Sequence, residues 1–248
     1  MFLEVKNLNK YYNSRNLFSK EKKQILKDVT FDVKEGEIFS IIGQSGAGKS
    51  TIGKILLGIE KKSSGDIMLM ERPLEEMVKK EVQMVFQDPY SSLNPAMKIG
   101  KILEEPLKVN GVKDKKEREE RVKSMLKEIG LEETCGRKYP SELSGGQRQR
   151  VVIGAAMILK PKLVVCDEPV ASLDLSIQNQ ILNLIKKFNK EYNTTFVFIS
   201  HDLGVVYNIS HRVLLLYKGE VQEIRETVDF FKNPNSEYGK YFLDGIKV

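Results

Sequence analysis

Apolar and polar positions alternate along "FLEVKNL" (2–8) and again along "ILKDVTFDVKEGEIFSII" (25–42), the two-residue period of strands with one buried face. Between them, "NSRNLFSKEKKQ" (13–24) is polar and rich in turn formers, and it reads as a loop. "KSTIGKILLGI" (49–59) switches to the helical period and stops before the turn "EKKSSGD". "IMLM" (67–70) and "VQMVFQ" (82–87) are apolar runs of strand length. From about residue 88 to residue 160 the pattern is helical, in "KIGKILEEPLKV", "KKEREERVKSMLKEIGL" and "GGQRQRVVIGAAMILK", the last halted by Pro161. Strand and helix patterns then alternate through "LVVCDEP", "SIQNQILNLIKKFNKEY", "TTFVFISHD" and "RVLLLYKGEVQEI". Short buried strands alternating with helices predict an α/β domain with a mainly parallel sheet. The helical block reads as an insertion between a strand ending near Gln87 and a strand starting at Leu163.

Size and composition agree with that organisation. A chain of 248 residues suffices for one large domain or two closely joined lobes, and 41% hydrophobic with 30% charged residues is an ordinary globular balance. The apolar run "VVIGAAMIL" stops at nine residues, well short of the roughly 18–20 that a membrane span needs. The opening "MFLEVKNLNKYY" lacks an apolar signal core and already reads as a strand, which points to a cytosolic protein. Two cysteines exclude a disulfide framework and a four-cysteine metal site. Cys166, in "LVVC", reads as a small buried hydrophobe, and Cys135 is given no role. The net charge of +6 suggests nucleic acid at first sight. In "KDKKEREERVKSMLKE", however, opposite charges recur at helical spacing, the pattern of a solvated helix face, and no nucleic-acid partner is expected. The more basic "SKEKK" (19–23) is short and reads as a surface loop.

The chemistry concentrates where strands end. Residues 43–50, "GQSGAGKS", satisfy G-x-x-x-x-G-K-[ST] between a strand and a helix. Gly43, Gly46 and Gly48 let the backbone curl around Gln44, Ser45 and Ala47, so that successive amides point at one anion. The helix that follows offers free N–H groups and a partial positive charge to phosphate. Lys49 can reach the β- and γ-phosphates of a nucleoside triphosphate, and the Ser50 hydroxyl is placed for Mg²⁺. "LVVCDEP" adds an apolar strand ending in Asp167 and Glu168. The first acid can bind Mg²⁺ directly or through water. The second points elsewhere, because side chains alternate along a strand, and can orient or deprotonate an attacking water. His201 in "FVFISHD" also follows a β-branched strand and can contact the γ-phosphate or the water, although a lone histidine serves equally well as a structural residue. His211 reads as structural.

A second glycine stretch, "ELSGGQRQR" (142–150), places Ser144 as the N-cap of a long helix behind Gly145 and Gly146. The chain thus has two helix starts suited to an anion but a single lysine-bearing loop. Dimerisation resolves this, if each nucleotide is clamped by the loop of one subunit and the second helix start of the other.

Taken together these residues resemble the ATP-binding subunit of an ABC transporter, over nearly the whole chain. "GQSGAGKST" is similar to the Walker A motif, "LVVCDEP" to Walker B and "LSGGQ" to the ABC signature. Gln87 resembles the Q-loop glutamine, "SLD" (172–174) the D-loop and His201 the switch histidine. The resemblance implies a single ABC ATPase domain over 1–248, made of a P-loop NTPase core, an N-terminal antiparallel β-subdomain and a helical subdomain at about 88–160. It also implies a head-to-tail dimer holding two ATP molecules. Lys49, Ser50 and Thr51 would then hold phosphates and Mg²⁺, with Gln87 and Asp167 completing the metal and water shell. Glu168 would be the catalytic base and His201 the γ-phosphate sensor. Ser144, Gly145, Gly146 and Gln147 would meet the partner's ATP, and Asp174 would link the two sites. Tyr12 fits best the aromatic that stacks on adenine, with Tyr11 its rival.

"VFQDPYSSLNPAMKIG", "DEPVASLDLSIQ" and "NPNSEYGKY" narrow the resemblance to the dipeptide, oligopeptide and nickel import branch. "SRNLFSKEKK" resembles the second of the two ATPases that such systems carry. The implied function is an ATPase on the cytoplasmic face of the cell membrane. It would pair with a second ATPase subunit, as a homodimer or, the favoured form, a heterodimer, and drive permease subunits fed by an extracytoplasmic substrate-binding protein. Peptide, nickel and metal chelate remain open as cargo, and a soluble ABC ATPase acting on ribosomes or DNA and an exporter subunit are the alternatives. Three departures from the family pattern stand out: Ala155 in place of an arginine, "ASLD" in place of "SALD", and a tail "NPNSEY" without the usual histidine and second proline.

Overall fold

The computed structural model describes residues 1–13, 22–86, 88–171 and 173–245. In chain order its elements begin with strands β1 (Leu3–Asn13), β2 (Lys22–Val33) and β3 (Ile38–Ile42), then helix α1 (Lys49–Leu56) and strands β4 (Ser64–Leu69) and β5 (Arg72–Pro73). A short helix α2 (Val78–Glu81), strand β6 (Val82–Val85) and helices α3 (Pro89–Ser92), α4 (Ile99–Val109), α5 (Lys115–Glu128) and α6 (Gly145–Met157) follow. Strand β7 (Leu163–Asp167), helix α7 (Leu175–Tyr192), strand β8 (Thr195–Ile199), helix α8 (Leu203–Ile209), hairpin strands β9 (Arg212–Tyr217) and β10 (Glu220–Glu226), and helices α9 (Thr227–Lys232) and α10 (Glu237–Asp244) complete the order. The chain divides into two compact units, one of Met1–Val78 with Thr195–Val248 and the other of Lys79–Thr194.

In the first unit, β2, β1, β4 and β5 form an antiparallel sheet in that order. Alternation puts Leu3 and Val5 of β1 in the core, and a register shift between Val5 and Leu8 brings Leu8 there too; Val5 pairs with Phe31 and Leu8 with Val29. The β1–β2 register slips at bulges, and the buried Asn9 side chain stitches one of them by donating to Asp28 Oδ1 at 2.7 Å and accepting from Asp28 N at 3.1 Å. The expected loop 13–24 is shorter than its polarity suggests: Asn13 pairs with Lys22 and Tyr12 with Lys23, so the last lysines of "SKEKK" are strand. Residues 14–21 lie outside the described residues.

The same unit holds β3, every residue of which is buried, with parallel partners β8 on one side and β9 on the other, and β10 antiparallel beyond β9. His211 secures this sheet by accepting a hydrogen bond from Ile38 N at Nδ1, 2.9 Å away, the structural role expected of it. Helices α9 and α10 close an apolar cluster of Ile42, Val206, Val213, Leu215, Phe230 and Leu243. The tail "NPNSEY" is tied down by the buried Glu223 carboxylate, which accepts from Asn235 N at 2.7 Å and Ser236 N at 2.9 Å.

The second unit joins β6 and β7 in parallel, Val85 opposite Cys166, with helices α3 to α6 between them in sequence and α7 after them. Burial of Cys166 pushes its thiol pKa far up, so it behaves as an apolar side chain. Cys135 is buried too, despite its polar sequence neighbours.

Candidate functional site

In the first unit the backbone leaves β3 at Ile42 and turns at once. Gly43 has φ +144°, and a Cβ there would lie 2.1 Å from the Leu216 carbonyl oxygen, so no other residue fits without moving β9. Gly46 (φ +77°) and Gly48 (φ +110°) continue the curl to the start of α1. Gln44, Ser45 and Gly46 are exposed at the crest, whereas Ala47, Gly48 and Lys49 are buried. The Lys49 ammonium folds back into the loop and donates to Gly43 O at 2.7 Å and Gln44 O at 3.0 Å. Helix α1 has Gly48 at its N-cap, with no side-chain cap and no acid in its first turn, so its positive end lies at the loop. Ser50 is exposed and Thr51 half-buried on that turn.

His201 belongs to the same edge. Strands β3 and β8 run parallel with Ile41 opposite Ile199, so Gly43 and His201 both emerge from carboxyl ends of adjacent strands, where open α/β sheets build their sites. His201 is exposed, and the next residue, Asp202, caps α8 by accepting from Val205 N at 3.1 Å. Tyr12 and Tyr11 lie at the end of β1 with similar exposures of 36% and 40%. One face of the Tyr12 ring carries the Lys10 ammonium 4.6 Å from its centroid.

The second unit gathers Asp167, Glu168, the Ser144 turn and Asp174. Cys166 pairs with Val85, so Asp167 leaves β7 at the edge where β6 runs toward Gln87, a residue outside the described ones. Glu168 takes φ +50°, a left-handed conformation uncommon for a residue with a Cβ and concentrated at functional sites. Ser144 caps α6 through a reciprocal pair: its Oγ accepts from Gln147 N at 3.3 Å, and Gln147 Oε1 accepts from Ser144 N at 3.0 Å. A Cβ on Gly146 would lie 2.6 Å from Ile177 Cγ2, which explains the glycine by close approach of α6 to α7. Asp174 caps α7, accepting from Ile177 N at 3.0 Å, while Ser172 lies outside the described residues. One residue escaped the motif reading: Gln149, buried on α6, donates from Nε2 to the Pro169 carbonyl at 2.6 Å. Its only trace in the sequence is a polar residue one turn into an otherwise apolar helix face.

A strand, a glycine loop with an inward lysine and an uncapped helix start are the parts of a phosphate cradle, and comparison with known proteins identifies its kind. Residues 26–171 match the protein family described as "ABC transporter". The chain belongs to the ABC transporter family. It is 39% identical over 257 residues to the oligopeptide transport ATP-binding protein AppF of Bacillus subtilis, covering 99% of this chain and 78% of AppF. It is 42% identical over 245 residues to the dipeptide transport ATP-binding protein DppF of Haemophilus influenzae, covering 95% of this chain and 75% of DppF. Among solved structures, the dimeric ATP-binding cassette MJ0796 bound to ADP and Pi aligns with TM-score 0.80 and 31% identity over 91% of this chain and 99% of that one. The cassette cbiO1 of Clostridium perfringens, part of the transporter complex cbiONQ, aligns with TM-score 0.81 and 29% identity over 94% of this chain and 91% of that one. This ABC protein is therefore an ATP-binding ATPase subunit with the fold its motifs implied. Among its described residues no helix is long and apolar enough to cross a membrane.

Proposed function

We propose that this chain powers a peptide importer, hydrolysing ATP in a head-to-tail dimer that closes on nucleotide and reopens after hydrolysis. The observation that carries the reading is the Lys49 ammonium held by its own loop carbonyls beside the uncapped start of α1. That arrangement positions positive charge for the phosphates before they arrive. Peptide is favoured over nickel or a metal chelate because AppF and DppF, matched over 99% and 95% of this chain, are oligopeptide and dipeptide transport ATP-binding proteins. The working assembly would be a pair with a second, unlike ATPase subunit, docked peripherally on permease subunits at the cytoplasmic face and served indirectly by a substrate-binding protein.

Within that assembly, Gly43 to Thr51 bind the triphosphate, Tyr12 stacks on adenine and His201 contacts the γ-phosphate. Glu168 takes a proton from the attacking water as its oxygen bonds to the γ-phosphorus and the bond to ADP breaks. Ser144, Gly145, Gly146 and Gln147 of one protomer contact the γ-phosphate bound by the other, and Asp174 links the two sites. Ser50, Asp167 and Gln87 offer hydroxyl, carboxylate and amide oxygens, a hard donor set suited to Mg²⁺. Mg²⁺ there would neutralise charge on the β- and γ-oxygens. The helical stretch at about 88–160 would carry the signature turn and relay closure to the permease.

The test is Glu168→Gln. ATP binding should survive while turnover falls about a hundredfold or more. An undiminished rate in the purified subunit pair would remove Glu168 from its role. Membrane recovery that depends on a co-expressed permease separates this reading from a ribosome-bound ATPase, which would co-sediment with ribosomes instead.

A further inference from the structure

Gln149 is a polar side chain in an apolar position. It is 1% exposed and surrounded on its helix by buried Val152 and Ile153. Its Nε2 is hydrogen-bonded to Pro169 O at 2.6 Å, but its buried Oε1 has no partner among the described residues. A buried amide oxygen left unpaired costs about 1–3 kcal/mol; methionine would fill the same space without it but would strip the buried Pro169 carbonyl of its donor, a cost of the same size. The two costs offset, so stability does not account for the glutamine, and its bond ends on the carbonyl of Pro169, the residue directly after Glu168.

We propose that Gln149 is a positioning residue for ATP hydrolysis, tying the helix that begins with the signature turn to the backbone that carries Glu168. This rests on the reading of Glu168 as the base. The left-handed Glu168 (φ +50°) is a conformation that surrounding structure must hold. Gln149 holds it from α6, and Ala171 N closes the turn on Glu168 O at 3.3 Å. From the other side Gln178 Nε2 donates to Val170 O and Leu173 O, both at 3.1 Å, fixing the turn to α7. A displacement of α6 as Ser144 engages the partner's nucleotide is thereby delivered to Glu168, which acts on the chain's own nucleotide. The two sites of the dimer are mechanically joined inside each protomer.

The experiment compares wild type, Gln149→Met, Gln149→Glu and Glu168→Gln as full chains in their dimeric assembly. Gln149→Met should keep KM and ATP affinity, lose kcat about tenfold and melt close to wild type, one buried orphan being exchanged for another. In Gln149→Glu a neutral carboxyl can donate its O–H to Pro169 O, whereas the ionised form cannot. Its kcat relative to wild type should therefore fall as pH rises across about pH 6 to 9, the range in which buried glutamates titrate. A purely structural glutamine would shift melting without adding this pH dependence to kcat. Wild-type kcat in Gln149→Met overturns the proposal. Should that variant fail to fold, a flat Gln149→Glu ratio across the same pH range overturns it. If Glu168→Gln turns over at the wild-type rate, the base assignment itself is wrong and the inference goes with it. Normal loss in Glu168→Gln beside full activity in Gln149→Met sinks the inference alone.

Discussion

Helices α1 and α6 both start at glycine turns, yet they satisfy their first backbone donors in opposite ways. Helix α1 has Gly48 at its N-cap, with no side chain to offer, and a lysine whose charge is turned inward on Gly43 and Gln44 carbonyls. Helix α6 is closed on itself, Ser144 and Gln147 each accepting the other's backbone N–H. The first start has no side-chain cap, the arrangement suited to an anion. The second is complete alone, so contact with a nucleotide must compete with its own capping box, worth about 1 kcal/mol. On the reading proposed above, that asymmetry makes nucleotide binding a property of the single chain and hydrolysis a property of the pair.

Two substitutions test the asymmetry. Lys49→Ala removes the charge at the receiving start, and both ATP affinity and turnover should drop, turnover by about a hundredfold or more. Nucleotide titration and steady-state phosphate release measure the two separately. Ser144→Ala should act more weakly and, of these two quantities, on turnover only. ATP affinity of the isolated chain stays at wild-type level, turnover of the assembled pair falls about tenfold, and loss of the cap lowers stability by about 1 kcal/mol. Equal damage to ATP affinity by both variants would mean that the two helix starts are not divided between chain and pair.

The features that the sequence disclosed are those whose physics is local. Periodicity located α4, α5 and α6, and the spacing "GQSGAGKS" located a loop whose glycines do take positive φ. Features resting on contacts distant in sequence stayed hidden. Lys22 and Lys23 looked like loop because backbone pairing with Asn13 and Tyr12 asks for no apolar side chain. Helix α8, of seven residues, is too short to display a period, and its Asp202 cap follows directly on His201. Helices α9 and α10 went unread because their hold on the sheet depends on Phe230, Leu243 and the carboxylate of Glu223. The bond from Gln149 to Pro169 joins residues that no motif pairs. Glycine spacing and strand-end acids are legible because each is a pattern among residues adjacent in the chain. A positioning contact is dictated by packing, and packing leaves only a misplaced polar residue as its mark.

The smallest expected effect on turnover comes from Glu104, in the scaffold of the unit that presents the Ser144 turn. The carboxylate is buried on α4 and accepts from Lys101 Nζ and from Arg118 Nε of α5, each at 2.8 Å. Burial by itself would raise its pKa, but the bonds from Lys101 and Arg118 and the nearby Lys108 outweigh it and hold the group at about 2, down from 4.5. A pKa lower in the folded state than in the unfolded one stabilises the fold above the unfolded value, and that contribution disappears as pH falls from 4.5 toward 2. Glu104→Gln should thus be less stable than wild type at neutral pH, by about 1 kcal/mol, with the gap closing through that acid window. Urea denaturation at stepped pH reads this directly, and a gap that ignores pH would reject the charged clamp. Salt gives a finer cut. The Lys101 side chain is 59% exposed and that of Arg118 only 12%, so added salt should screen the lysine bond and leave the arginine bond nearly intact. ATP affinity at neutral pH should not move in Glu104→Gln, because the receiving helix start lies in the other unit and makes none of these bonds.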